Sequence, residues 1–232
     1  MLWGNNMKIS TFNINKFQGP YSNPCTKGGY YNPRNIDFKT PIKQLCSEYL
    51  ENEDDIVFIQ EFYDDNNINT KKYFEKNGYS VFHYLGSIVK SHVVAITLKN
   101  SLWEVIKPEG TIEFKNKFIE MELKEKSLKI ISFHNTDKNI EDKMNSEFNK
   151  ENKDIILGDF NNTEWINDLH NNLSVKYRDL VTNDMITYKP AQTSIDRIFI
   201  KNKKEYENKI IFNGVIETYV SDHNILTFSL NI

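Results

Sequence analysis

Six places in the 232-residue chain set polar side chains directly beside apolar runs. Asn13 closes Thr11-Phe12-Asn13, and Glu61 closes Ile56-Val57-Phe58-Ile59-Gln60-Glu61. His134 follows Ile130-Ile131-Ser132-Phe133, and Asp159 and Asn161 follow Ile155-Ile156-Leu157-Gly158. Asp196 sits in Ser194-Ile195-Asp196-Arg197-Ile198-Phe199-Ile200, and Asp222-His223 precede the run that starts at Ile225. A single Asn or Asp in such a place is a turn former, and a single His is usually structural. Four carboxylates, two amides and two histidines together exceed what turns require and point to one site. Carboxylate and amide oxygens without sulfur suit a hard divalent ion such as Mg2+ or Mn2+ rather than zinc. Breaking a phosphodiester needs an activated water, neutralised phosphoryl oxygens and a stabilised leaving oxygen. A metal ion, an imidazole donor and a carboxylate or carboxylate-oriented imidazole supply all three.

The elements that must position these residues are short. Alternating or continuous apolar runs predict about eleven strands, at 7–14, 56–60, 80–85, 93–98, 102–106, 118–123, 128–133, 154–157, 194–200, 209–215 and 225–230. Helical patterns occupy 40–51, 69–77, 140–150 and 163–171. Eleven strands exceed one open twisted sheet, and four helices are too few to alternate with every strand, so two packed sheets flanked by helices are expected. Gly158 is expected to permit a tight turn before Asp159, and Lys201-Asn202-Lys203-Lys204 reads as a hairpin tip or a phosphate contact. The segment 16–38, rich in Gly, Pro, Asn and Tyr, is too long for an idle connection and is either a substrate-facing loop or a surface loop.

Residues 1–232 are expected to form one domain, with residues 1–6 a dispensable extension ahead of Met7. A net charge of −3, from 29 basic against 32 acidic residues, excludes a global positive field for polyanions, so any nucleic-acid contact must be local. Cys25 and Cys46 are too few for a disulfide framework and read as structural thiols. No run of about 18 apolar residues and no leader pattern are present, and the expected location is cytoplasmic.

The ordered series Asn13, Glu61 in Ile-Gln-Glu, His134 in Ser-Phe-His, Asp159 and Asn161 in Gly-Asp-Phe-Asn, Asp196 in Ser-Ile-Asp-Arg-Ile-Phe and Asp222-His223 in Ser-Asp-His resembles one family. That family is the endonuclease/exonuclease/phosphatase superfamily, also called deoxyribonuclease-I-like, and the resemblance spans nearly the whole chain. It implies a four-layer α/β/β/α sandwich of two mainly antiparallel sheets. It implies Glu61 as the main ligand of a Mg2+ or Mn2+ ion, with Asn13 and Asp222 helping. His223 would contact the scissile phosphate with Asp196 fixing its tautomer. Asp159 would orient or deprotonate the attacking water, Asn161 would hold that water or a phosphate oxygen, and His134 would be a second phosphate-facing imidazole. Either Asp159 or the Asp196–His223 pair would be the base.

One departure is Phe133-His134-Asn135, where many members carry Thr-His-Leu, and no partner carboxylate for His134 is identifiable. Thr187, Tyr188 and Thr193 supply either a hydroxyl behind the site or, by preference, a turn. Lys16, Lys27 and Arg34, with Tyr21, Tyr30 and Tyr31, make either a basic aromatic surface or a solvated loop. His83, His92 and His170 read as structural or surface residues. The resemblance implies a metal-dependent phosphodiesterase, with DNA or RNA cleavage as the first reading. A phosphodiesterase or phosphatase of small molecules or lipid headgroups is the alternative, and a catalytically silent binding module is a third.

Overall fold

The computed structural model describes residues 6–15, 39–64, 69–84, 91–106, 116–150, 152–218 and 221–231. The segment 16–38, with its expected basic aromatic surface and Cys25, lies outside the described residues.

The first sheet contains β1 (Asn6–Asn13), β2 (Ile56–Tyr63), β3 (Tyr79–Phe82), β4 (Ser91–Leu98), β11 (Ile210–Ile216) and β12 (Ile225–Asn231), in the order β11-β12-β1-β2-β4-β3. The second contains β5 (Trp103–Val105), β6 (Phe118–Leu123), β7 (Leu128–His134), β8 (Ile155–Asp159), β9 (Tyr177–Asp179) and β10 (Asp196–Lys201), in the order β5-β6-β7-β8-β10-β9. All eleven expected strands form; the addition is β9, whose three residues are too short for a periodic signal. The expected helices become α1 (Lys39–Tyr49), α2 (Thr70–Lys76), α3 (Lys138–Lys150) and α4 (Thr163–Leu173).

Strand alternation assigns the layers. In β2, Ile56 and Phe58 join the core between the sheets, while Val57 and Ile59 pack outward with Ile42 and Cys46 of α1 and Phe74 of α2. Ile140, Met144 and Phe148, four residues apart along α3, bury one face on the second sheet together with Trp165, Ile166 and Leu169 of α4. Asn162 caps α4 by accepting the Trp165 N–H at 3.1 Å. The result is the expected four-layer α/β/β/α sandwich. Cys46 fits the structural-thiol reading, since burial pushes its thiol up to about 12.

Each sheet contains one parallel pair, β1 with β2 and β7 with β8; the other pairings are antiparallel. The parallel pairs arise from two crossover units, β1-α1-β2 and β7-α3-β8, and the C-terminal ends of parallel strands are where open α/β sheets build their sites.

Three sequence expectations need correction. Gly158 lies within β8, not in a turn: its φ is +138°, and a Cβ there would sit 2.0 Å from the Phe133 carbonyl oxygen on β7. Glu61 lies within β2, which continues to Tyr63, because a bulge between Ile59 and Phe62 absorbs Gln60 and Glu61. Lys201-Asn202-Lys203-Lys204 is not a hairpin tip, since β10 and β11 belong to different sheets and the segment crosses between them.

Candidate active site

Register brings the predicted residues together. In the second sheet, His134 on β7 and Asp196 on β10 are both cross-strand partners of Asp159 on β8, so three chemical side chains stand side by side. In the first sheet, Asn13 ends β1 beside Gln60 of β2. The bulge then turns Glu61 toward the second sheet through a φ of 54°, a left-handed conformation costing a non-glycine residue on the order of 1 kcal/mol or more. Asn161, with a φ of 52°, makes the corresponding turn after β8.

The sheets meet through hydrogen bonds. Asn13 Nδ2 donates to Asp159 Oδ2 at 2.9 Å and to Glu61 Oε1 at 3.3 Å. His134 Nε2 lies 3.6 Å from Glu61 Oε1 and 3.7 Å from Asp159 Oδ2, so two carboxylates flank the imidazole for which the sequence showed none. The Asn161 backbone N–H donates to Asp159 Oδ1 at 3.0 Å, and its side chain donates to the Asn135 carbonyl at 2.9 Å. His223 Nδ1 is 2.9 Å from Asp196 Oδ2, and its Nε2 points toward Asp159 Oδ2 at 3.9 Å. Asp222 joins through Ser221, whose Oγ donates to the Asn13 carbonyl at 2.6 Å and lies 3.3 Å from Asp222 Oδ1. All eight predicted residues therefore lie in one connected network, Asn161 through its backbone N–H and Asp222 through Ser221.

Electrostatics follow from crowding acids in a dry place. Burial, reinforced by the charge of Asp196, holds the Asp159 carboxyl well above the usual carboxylate range against the pull of His223 and the Asn13 hydrogen bond. Burial would lower the proton affinity of His223, but the charge and hydrogen bond of Asp196, with Asp159 and Asp222, override it and push the imidazole up. His223 is therefore a cationic donor near neutrality.

Asp159, Asp196 and His223 bring ligand atoms within 4.8 Å of one another, a grouping that could hold a metal ion. Asp196 Oδ1 is buried with no hydrogen-bond partner among the described residues. The surplus of buried carboxylate oxygen fits a hard divalent cation. Glu61, with 16% of its side chain exposed against 1% for Asp159, is the more accessible of these two carboxylates.

Gln60 and Arg197 escaped sequence reading as supports, whereas Thr187 and Tyr188 are residues expected to supply either a turn or a hydroxyl behind the site. Gln60 donates from Nε2 to Thr11 Oγ1 and Ser132 Oγ, each at 2.9 Å, and so ties the two sheets together beneath the site. A glutamine inside an apolar strand was the available signal. Thr187 is fully buried, and its Oγ1 accepts the backbone N–H groups of Ile195 and Asp196 at 3.0 Å each, which anchors the start of β10. Tyr188 bridges to both Thr193 and His223, and its ring lies 4.8 Å from the imidazole. This segment is thus a turn and a support at once. Arg197 is buried and donates to the carbonyls of Val181 and Ser194 and to Asn183 Oδ1, fixing the segment that carries Thr187. Outside the network, the rings of His83 and His92 lie 5.5 Å apart and tilted by 43°, and His170 pairs with Asp179 at 2.8 Å.

No protein-family model matches the chain, and no curated protein matches it in sequence. Three solved structures match it over nearly their full length. The endonuclease domain of TRAS1, a telomere-specific non-LTR retrotransposon, is 16% identical with a TM-score of 0.65, covering 97% of this chain and 99% of that one. D. rerio TDP2 complexed with single strand DNA product is 16% identical with a TM-score of 0.65, covering 98% of this chain and 100% of that one. An AP endonuclease from Archaeoglobus fulgidus is 13% identical with a TM-score of 0.64, covering 97% of this chain and 100% of that one. These likenesses establish the fold: the deoxyribonuclease-I-like sandwich implied by the ordered motifs is the one observed.

Proposed function

We propose that this chain is a divalent-metal-dependent phosphodiesterase and that its substrate is a polynucleotide. The observation that carries the reading is the convergence of Glu61, Asn13, Asp159 and His134 from two sheets onto a buried Asp196–His223 pair. The nucleic-acid preference is supported by neighbours of the same fold that are an AP endonuclease and a TDP2 complexed with single strand DNA product.

Glu61, with Asn13 and Asp222, would hold Mg2+ or Mn2+. His223 is less suited to ligation because Asp196 keeps it a charged donor, whereas a ligand imidazole must be neutral. When bound, the ion neutralises charge on the phosphoryl oxygens. Asp196 locks Nδ1 of His223 so that the Nε2–H faces the cleft, where it donates to a phosphoryl oxygen as negative charge develops. Asp159 lies between both imidazoles and takes the proton of the attacking water, oriented for this by the Asn161 N–H and the Asn13 amide. Asn161 holds that water or a phosphoryl oxygen. His134, flanked by Glu61 and Asp159, steadies the departing side of the phosphate.

The test compares Mg2+, Mn2+ and EDTA on supercoiled plasmid, single-stranded DNA, RNA and a chromogenic phosphodiester, with His223→Ala as the contamination control. Metal-dependent polynucleotide cleavage that disappears in the variant is expected. Turnover of the small diester alone would transfer the site to small-molecule or lipid-headgroup chemistry. Inertness on every substrate, with no Mg2+-induced thermal shift and no change in Glu61→Gln, would leave a binding module.

A further inference from the structure

The second concentration of charge lies at the opposite end of β10. Asp196 opens that strand and Lys201 closes it, five residue steps or about 16 Å away. Arg178 on β9 and Lys201, Lys203 and Lys204 surround a cavity of about 480 Å3, with Tyr206 in its wall and Glu207 as its one lining carboxylate. The chain as a whole carries −3, so this clustering of cations is local.

The cations are not all consumed within the protein. Lys203 is held by Asp154 at 2.5 Å and Glu205 at 3.3 Å, which fixes the floor of the crossing segment. Arg178 and Lys204 are exposed and make no ion pair among the described residues. Like charges gathered around a concavity repel one another and raise the local concentration of anions. An Arg fork beside a Lys point charge matches the oxygens of a phosphate, and the volume falls in the range of small-ligand sites. β9, which carries Arg178, is the edge strand of its sheet.

We propose that this cavity is a second anion site that binds a phosphate group, either of a polynucleotide backbone or of a free phosphate ester, separately from the hydrolytic centre. The decisive experiment is an amide-resolved NMR titration of the full chain with inorganic phosphate, repeated with a short single-stranded oligodeoxynucleotide. Wild type is compared with the double variant Arg178→Gln/Lys204→Gln. Phosphate is expected to move the signals of 178 and 201–207 independently of those of 159–161 and 221–223. The double variant should weaken the first response about tenfold or more while leaving melting temperature and hydrolysis of the small diester unchanged. If the source is a polynucleotide, the oligonucleotide moves the same signals, and the double variant flattens the salt dependence of its binding by about 1.4 in log–log slope. If the source is a free phosphate ester, only the small anion does so. Silence of these signals toward both probes in the wild type, or an undiminished response in the double variant, overturns the proposal. Because hydrolysis is read separately, this result does not depend on the fate of the catalytic reading.

Discussion

Residues near the two ends of β8 sit among buried charge of opposite character. Just before the strand, Lys153 has 6% of its side chain exposed and lies 2.7 Å from Glu120 and 3.6 Å from Glu147, while Lys150 reaches Glu147 at 2.8 Å. Burial would raise the Glu147 carboxyl, but Lys150, Lys153 and Lys143 hold it below the usual range. At the other end, Asp159 shares its surroundings with Asp196 and Glu61, and its carboxyl is driven the other way. The first cluster contains opposite charges in mutual contact and closes the gap between α3 and the second sheet. The second contains an acid surplus that no lysine or arginine offsets through a direct ion pair with Asp159 or Asp196 among the described residues. Paired charge fixes the architecture, whereas an acid surplus favours a counter-cation, which the grouping of Asp159, Asp196 and His223 could hold.

The contrast can be broken most severely at the unbalanced end. Asp196→Asn removes the charge that keeps His223 a donor of fixed tautomer and should lower turnover by roughly 10^3 to 10^4 with little change in melting temperature. A near-wild-type rate would dissolve the pair. At the balanced end the effect moves to stability: Lys153→Met leaves Glu120 and Glu147 buried against apolar volume and should cost about 3–5 kcal/mol in urea unfolding. Activity per folded molecule should be retained there, and a loss below about 1 kcal/mol would show the cluster to be dispensable. The smallest effect sharpens the comparison at a third, half-buried pair. Burial holds His83 and His92 below the ordinary imidazole range, assisted by Lys71 for His83 and by His83 for His92. The unfolded chain therefore takes up these protons first, so the pair leaves stability unaffected above about pH 6.5 and lowers it as pH falls through that value. His83→Gln/His92→Gln should flatten that acid limb by on the order of 0.5 kcal/mol after solvent screening, read by thermal melts across pH 5 to 8. An unchanged limb would place the proton uptake elsewhere.

The elements and the chemical side chains were legible in the sequence for one reason: both depend on local pattern. Ile155-Ile156-Leu157 announces a strand whatever it pairs with, and Asp159 after it announces polarity at a strand end. The parts that were not legible depend on register. Gly158 reads as a turn until Phe133 is known to lie opposite, and Glu61 reads as a terminus until β4 is seen to slip past β2. Thr187 reads as a turn residue until its hydroxyl is found under the backbone of Asp196. Lys201 to Lys204 reads as a tip until β11 is assigned to the other sheet.

The position of β1 also decides when the first sheet can close. β1 lies between β2 and β12, and its Asn13 carbonyl accepts the Ser221 hydroxyl across 208 residues of sequence. Contacts of that span are the slowest to form, because chain entropy must be surrendered before pairing returns anything. During synthesis β1 emerges long before its neighbour β12, and its edge stays unpaired until the chain beyond Ser221 is free to dock. Asp222 and His223 emerge together with the segment that leads into β12, so the Asp196–His223 pair forms only after that segment has docked beside β1.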